Sequence, residues 1–375
     1  MLPQRLTVLQ LLPALESGGV ERGTLEIANG LVKKGHRSLV ISGGGRLVDQ
    51  LTTEGSEHYT WPIGIKSPRA LFLIPKLRNF LRTQKIDILH ARSRVPAWIA
   101  WFAWKSIKKP LKPHFITTVH GLYSVNLYST IMVKGEKIIA VSETAYQYIR
   151  TNYPKVSIEN IELIPRGIHP EDYPYGYQPN QQWLENWYHT YPQLQDKVVL
   201  TLPGRLTPLK GHEDFIVLIE KLIQDQYPVH GLIVGDTHPN RQQYFHRIKQ
   251  QILTRNLESS VTFTGHRKDM REIYANSHLV LSLSKKPESF GRTVLEALSL
   301  GIPTVGYDHG GVGEILKNLF PQGRIPLGEI DKLYDCIVAS IKNSPRVPPL
   351  NQAYSLEAMI NKTLACYMGF YPSSF

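Results

Sequence analysis

Two glutamates eight positions apart anchor the densest chemistry in the chain, the run Pro287-Glu288-Ser289-Phe290-Gly291-Arg292-Thr293-Val294-Leu295-Glu296-Ala297. The run joins an apolar strand pattern ending near Leu283 to a helical pattern beginning near Thr293. Glu288 falls in the loop, where it can reach a ligand. Gly291 lets the backbone come close, and the amides of Thr293, Val294 and Leu295 make a helix start suited to an anion. Glu296 lies on the first turns of that helix, where a carboxylate can accept hydrogen bonds from vicinal hydroxyls, as acidic residues do for ribose. Alone, Glu296 also reads as charge complementing a helix start. A second run, Gly204-Arg205-Leu206-Thr207-Pro208-Leu209-Lys210-Gly211, places a forked guanidinium and a mobile ammonium around one turn. That pair suits a diphosphate that gains charge as it leaves, and it also reads as a solvated basic turn. A third, Gly18-Gly19-Val20-Glu21-Arg22, follows a strand and opens a helix, as a phosphate loop or a plain tight turn.

Basic residues are unevenly spread. The chain of 375 residues carries a formal net charge of +12; residues 1–177 hold +10 of it and residues 178–375 only +2. A basic half serves nucleic acid, an anionic membrane or an anionic substrate, and charge alone does not choose. Arg92 and Arg94, just past a strand end, suit a carboxylate or phosphate on an acidic acceptor, or a surface salt bridge. Trp98, Trp101 and Trp104 with Lys105, Lys108, Lys109 and Lys112 read as a membrane-facing stretch or as a buried helix face. Lys66, Arg69, Lys76, Arg78, Arg82 and Lys85, interleaved with Phe72 and Phe80, form a second basic stretch.

These residues need a scaffold of alternating strands and helices. The strand patterns in the first half are 6–12, 38–42, 86–90, 115–119 and 137–141, and the helical ones 20–34, 68–84, 97–108 and 143–153. The second half repeats the scheme, with strands at 198–203, 229–234, 261–264, 279–282 and 304–306. Its helices are expected at 212–226, 240–256, 268–276, 294–300, 331–341 and 355–368. Such alternation builds parallel βαβ units. The polar, aromatic and proline-bearing stretch 169–196 reads as a connection between domains. The expected architecture is α/β: two facing Rossmann-like doubly wound domains with ligands in a cleft at the strand ends.

The two cysteines, Cys336 and Cys366, form no CxxC or Cys/His cluster, so neither a disulfide framework nor structural zinc is expected, and a reducing cytosol fits. The apolar start around Leu6–Leu12 reads as a first buried strand rather than a signal peptide.

Taken together, these motifs resemble glycosyltransferase family 4, with the GT-B fold, from Gly18 to about Gly311 and again in the C-terminal helix. The two glutamates resemble the family's E-x-seven-E motif, and Arg205 with Lys210 its diphosphate pair. Gly18-Gly19 resembles its first glycine loop, and Thr118-Val119-His120-Gly121 its histidine-bearing loop. Val141-Ser142-Glu143 and Ile164-Pro165-Arg166-Gly167-Ile168 are also similar, except that the family usually has Asn where this chain has Arg166. A narrower similarity, through His90-Ala91-Arg92-Ser93-Arg94-Val95-Pro96-Ala97-Trp98, is to bacterial lipopolysaccharide core mannosyltransferases, which often act on an acidic Kdo sugar of lipid A.

The resemblance implies an acceptor-binding domain at 1–175, a nucleotide-sugar domain at 176–352 and a helix at 353–375 returning to the first domain. It implies a retaining hexosyltransferase, best matched by GDP-mannose as donor and an anionic lipid-linked glycan as acceptor, with a UDP-sugar as the alternative. His120, Arg205, Lys210 and Glu288 would be catalytic. Gly18, Gly19, Arg205, Lys210, His266, Arg267, Phe290, Gly291, Thr293, Val294, Leu295 and Glu296 would hold the donor, with the Gly265-His266-Arg267 loop near the base. No DxD-type acidic pair follows a strand, so no metal cofactor is expected, and Arg205, Lys210 and the helix start would stabilise the departing charge. Glu288 and Glu296 serve different parts of the donor and are not a glycosidase pair about 5 Å apart. A cytoplasmic enzyme, peripheral on the inner membrane face, fits. A basic nucleic-acid-binding protein is the reading from another class; it lacks an RNP, zinc-finger or helix-turn-helix signature.

Overall fold

The computed structural model describes residues 5–16, 18–237, 242–349 and 352–371. The chain divides into two compact units, Met1–Gly167 with Leu356–Phe375, and Ile168–Ser355. In the first, the elements run β1 (Thr7–Leu11), α1 (Gly19–Lys33), β2 (Arg37–Ser42), α2 (Val48–Thr53), β3 (Glu57–Thr60), α3 (Leu73–Thr83, preceded by a 3-10 turn at Pro68–Phe72), β4 (Ile88–Ala91), α4 (Arg94–Lys105), β5 (His114–Val119), β6 (Lys137–Ala140), α5 (Glu143–Asn152) and β7 (Ile161–Leu163). All pairs are parallel, in the order β3-β2-β1-β4-β5-β6-β7. β1, β4 and β5 are buried almost throughout, as apolar strands of a parallel sheet covered on both faces must be. The last helix of the chain, Leu356–Met368, belongs to this unit, where Met359, Cys366 and Tyr367 share a core with Leu6, Val8, Ile27 and Leu31.

The second unit contributes α6 (Gln181–Thr190), β8 (Val198–Pro203), α7 (His212–Gln224), β9 (Val229–Val234), α8 (Gln242–Thr254), β10 (Val261–Gly265), α9 (Met270–Ala275), β11 (Leu279–Ser282), α10 (Arg292–Ser299), β12 (Thr304–Tyr307), α11 (Gly310–Leu319), β13 (Arg324–Ile325) and α12 (Ile330–Asn343); the helix at Leu356–Met368 is α13. Its parallel sheet has the order β10-β9-β8-β11-β12-β13. The expected start of α8 at Asn240 lies outside the described residues.

Several expectations change. The connecting stretch 169–196 holds a real helix, α6, capped by the Asn180 side chain, which accepts from the Trp183 amide at 2.8 Å. Trp183 and Trp187, four positions apart, stack at 4.9 Å, and Trp187 enters a core with Leu194, Val199, Leu232 and Val234. α4 begins at Arg94, not after Pro96, because proline is tolerated in a first turn, where its missing N–H would be unpaired anyway. β3 and β7 are short edge strands of mixed polarity and α11 begins in a glycine-rich stretch, three elements not among those expected. Among the described residues no helix is long and apolar enough to cross a membrane.

Candidate active site

Parallel sheets bind ligands at the carboxyl ends of the two strands where the order reverses. In the second unit those strands are β8 and β11, neighbours in the sheet. The loops leaving them are 204–211 and 283–291, so the topology brings both charged motifs to one point. Lys210 ends a 3-10 turn, and its Nζ donates to Glu288 Oε1 at 2.7 Å. Ser284 Oγ donates to the same oxygen. Both charged side chains remain about a quarter exposed, at 25% and 26%, which leaves their outer faces available to a ligand. Burial alone would raise the Glu288 carboxyl; the Lys210 charge and the hydrogen bonds from Lys210 and Ser284 outweigh it and hold the group below its usual range.

The Glu288 loop is braced from behind. The Gly311 amide donates to Glu288 O at 2.7 Å, and His309 Nε2 donates to Ser284 O at 2.6 Å. A Cβ on Gly311 would stand 2.0 Å from the Phe290 carbonyl oxygen, so only glycine permits this approach. Gly291, at φ +110°, turns the chain into α10. That turn aims the Gly291 carbonyl into the first helical turn, where it accepts from the Val294 and Leu295 amides at 3.1 and 3.2 Å. The expected anion site on the amides of Thr293, Val294 and Leu295 is corrected accordingly: Thr293 and Arg292 carry the amides outside this turn. The side chains of Phe290, Val294 and Leu295 are buried and serve as core.

Glu296, 5% exposed, already has partners. Arg292 Nε donates to its Oε1 at 2.9 Å and Tyr274 OH lies 3.5 Å from Oε2. Arg205 is exposed beside β8. His266 is exposed at the end of β10, but Arg267 is turned away into a two-pronged pair with Asp269, at 2.9 and 2.6 Å, and lies 5.5 Å over the Trp187 ring. Only His266 of that expected base-contacting pair is left with an exposed side chain.

In the first unit the order reverses between β1 and β4. Gly18 caps α1 beyond β1, and Gly19 is exposed. His120 follows β5, and Arg166 follows β7. Arg166, 7% exposed, donates through one Nη to Gly19 O and through the other to His120 Nδ1 at 2.6 Å. A guanidinium has no lone pair to offer, so Nδ1 is the acceptor and a neutral His120 carries its proton on Nε2. Burial, and then the charges of Arg166 and Arg92, hold the His120 imidazole well below its usual range. The departure from the family's Asn is therefore a working contact between the glycine loop and the histidine.

Arg92 does not project to a surface. It is 4% exposed, and its Nε donates to Gln10 Oε1 at 2.7 Å. Beside it His90, fully buried on β4, bonds Tyr367 OH at 2.7 Å and Thr118 Oγ1 at 2.6 Å. This network ties α13 to the sheet. Its members on α13 and β1 carry no local motif, and only the fold brings them together. Arg94 lies over Tyr123 and Tyr128, at 4.6 and 4.9 Å. Among the described residues no group of three His, Cys, Asp or Glu side chains converges as a metal site.

Comparison with known proteins agrees with this geometry. Residues 17–172 match the family model described as Glycosyltransferase Family 4, and residues 189–344 that described as Glycosyl transferases group 1. The chain is 25% identical over 324 residues to the phosphatidylinositol N-acetylglucosaminyltransferase GPI3 subunit of Saccharomyces cerevisiae, covering 80% of this chain and 67% of that protein. A crystal structure of a glycosyltransferase from Rickettsia africae superposes with a TM-score of 0.85 at 28% identity, over 99% of this chain and all of the other. Anabaena Alr3699/HepE in complex with UDP and glucose shares the fold, with a TM-score of 0.76 at 20% identity over 97% and 95% of the two chains. With two Rossmann-like sheets and a charged motif at the switch point of the second, this chain is a glycosyltransferase built on the GT-B fold, its first half matching the family 4 model.

Proposed function

We propose that this glycosyltransferase moves a hexose with retention of anomeric configuration, without a metal ion, from GDP-mannose to an anionic lipid-linked glycan such as a lipopolysaccharide core. The observation that carries the reading is the Lys210–Glu288 pair at the β8/β11 switch point, with Arg205 exposed on the same loop. Lys210 is held by one carboxylate oxygen and keeps donors for a diphosphate, and Arg205 adds a fork. As the bond from the anomeric carbon to the diphosphate breaks, the electron pair leaves with the phosphate oxygen, and these cations meet the charge where it grows. The acceptor oxygen bonds to the same carbon from the face the diphosphate leaves, and its proton passes to a leaving phosphate oxygen. Glu288 orients the sugar hydroxyls, Glu296 takes the ribose hydroxyls beside Arg292, and His120 meets the reacting sugar through its Nε2 proton.

A second donor reading, UDP-N-acetylglucosamine, is favoured by the yeast relative, whose name states N-acetylglucosaminyl transfer to phosphatidylinositol. That same name supports a lipid acceptor. The deciding experiment is a thermal-shift panel of GDP-mannose, UDP-N-acetylglucosamine, UDP-glucose and ADP-heptose, followed by transfer to a lipid-linked acceptor. Stabilisation by GDP-mannose above the others is expected. Stabilisation by UDP-N-acetylglucosamine alone replaces the donor, and stabilisation by none refutes the reading.

A further inference from the structure

The first unit carries an apolar cavity of about 420 Å³ that neither the donor site nor the His120 cluster uses. One wall is the 3-10 turn before α3 and the start of that helix, with Ala70, Leu71 and Ile74. The other is α4, with Trp98 and Phe102, and Tyr128 closes a side. The volume lies within the range of about 300–1,000 Å³ typical of small-molecule sites, and the lining is overwhelmingly apolar. Trp98 is fixed in place by its indole N–H, which donates to Tyr128 O at 3.0 Å. The mouth reaches solvent: Leu71 is 60% exposed, and its neighbour Phe72 is 79% exposed. These exposed apolar side chains leave surface beside the slot for a ligand to cover.

The stretch of chain that builds the cavity is strongly basic. Residues 61–135, which include every lining residue, hold 13 Lys and Arg and a single acid, Asp87. Their excess of +12 equals the net charge of the whole chain. Lys66 lines the cavity itself, and Lys105 and Lys134 lie over the Trp101 ring on α4, at 4.3 and 5.3 Å. An apolar slot with Lys66 in its wall, built by a strongly basic stretch of chain, matches an amphiphile with one hydrocarbon chain and an anionic head.

We propose that this cavity receives the hydrocarbon chain of the lipid-linked acceptor, while the surrounding lysines and arginines hold its anionic head. The proposal rests on the reading of an anionic lipid acceptor, and it adds the place where the lipid enters. It differs from attachment to a bilayer surface, because a cavity measures the length of a single chain.

The test uses the full chain and the soluble amphiphiles octyl, decyl and dodecyl phosphate, each below its micelle concentration, followed by tryptophan fluorescence and calorimetry. Affinity should rise about fourfold per added methylene, the increment of burying one CH₂. Dodecyltrimethylammonium should bind at least tenfold more weakly than dodecyl phosphate. Leu71→Glu, at an exposed position that the fold tolerates, should weaken dodecyl phosphate at least tenfold. Ala70→Phe, which fills the slot, should do the same while melting at the wild-type temperature. Affinity independent of chain length, equal binding of the ammonium compound, or wild-type affinity in both variants would overturn the proposal. So would a solution dimer that dodecyl phosphate fails to dissociate or enter. Because no donor or turnover is involved, chain binding that persists when no lipid-linked acceptor is glycosylated would sink the acceptor reading and leave the cavity standing. Transfer to a lipid-linked acceptor without any chain binding would sink the cavity alone.

Discussion

Arg166→Ala is the perturbation that most directly tests how the first unit prepares its histidine. The guanidinium spans two acceptors, Gly19 O and His120 Nδ1, and is 7% exposed. A hydrogen bond from a charged donor contributes about 1.5–3 kcal/mol, so the two together set a ceiling of about 3–6 kcal/mol. Removing a buried guanidinium also removes its desolvation cost, which brings the expected net loss to about 2–4 kcal/mol. The imidazole should titrate higher in the variant, since the Arg166 charge is the second cause of its lowered pKa. It should still lie below its usual value, because burial is the first cause and remains. If His120 meets the reacting sugar, loss of its support should lower kcat about 10- to 100-fold with a smaller change in KM. Nitrogen-detected NMR of the His120 ring reports protonation and tautomer, and chemical denaturation reports stability. Arg166→Lys should rescue little, because one ammonium cannot hold two acceptors in the fork's fixed geometry. An unchanged ring spectrum and wild-type turnover in Arg166→Ala, or full rescue by lysine, would refute the argument.

Glu296→Ala should weaken donor binding about 10- to 100-fold, since the ribose hydroxyls lose a charged acceptor worth roughly 1.5–3 kcal/mol; wild-type donor affinity in calorimetry would remove the residue from the site. Lys210→Ala should lower kcat more than donor affinity, because charge on the leaving diphosphate grows in the transition state. Transfer should persist in EDTA, and loss on chelation with recovery on Mg²⁺ or Mn²⁺ would show that the cations do not replace a metal. Stability should fall steeply in acid, because burial pushes His212 and His230 down to about 4 in the folded chain, against about 6.5 unfolded. The sign follows from proton binding: between those values the unfolded chain holds protons that the folded chain rejects, so stability drops as pH falls from about 6.5 towards 4. His212 accounts for about 3 kcal/mol across that window, and the less deeply enclosed His230 for less. Urea midpoints at pH 7, 6 and 5 measure the effect, and midpoints that stay level would contradict it.

Much of the scaffold was legible because parallel sheets write themselves plainly. β1, β4, β8 and β9 are apolar runs buried on both faces, and α1 and α7 keep their apolar residues at helical spacing. The charged motifs were legible for a local reason: a phosphate loop needs glycine, a cation and a helix start within a few residues. α6 was missed although its signals were present, an Asn cap and tryptophans four apart, because prolines and aromatics around them read as a linker.

What the tertiary structure alone decided is pairing. Lys210 and Glu288 lie 78 positions apart, and no local rule says that they pair; strand order does, by placing β8 beside β11. Arg166 and His120 meet across 46 positions for the same reason, through β5 and β7 in one sheet. Arg92 reads from sequence as a surface cation and is instead buried against Gln10, since a residue just past a strand end faces inward or outward according to what covers it. The hydrocarbon slot is likewise invisible in the order of residues. Its walls come from two helices whose apolar faces are each ordinary, and the cavity exists only because α3 and α4 meet without filling the space between them.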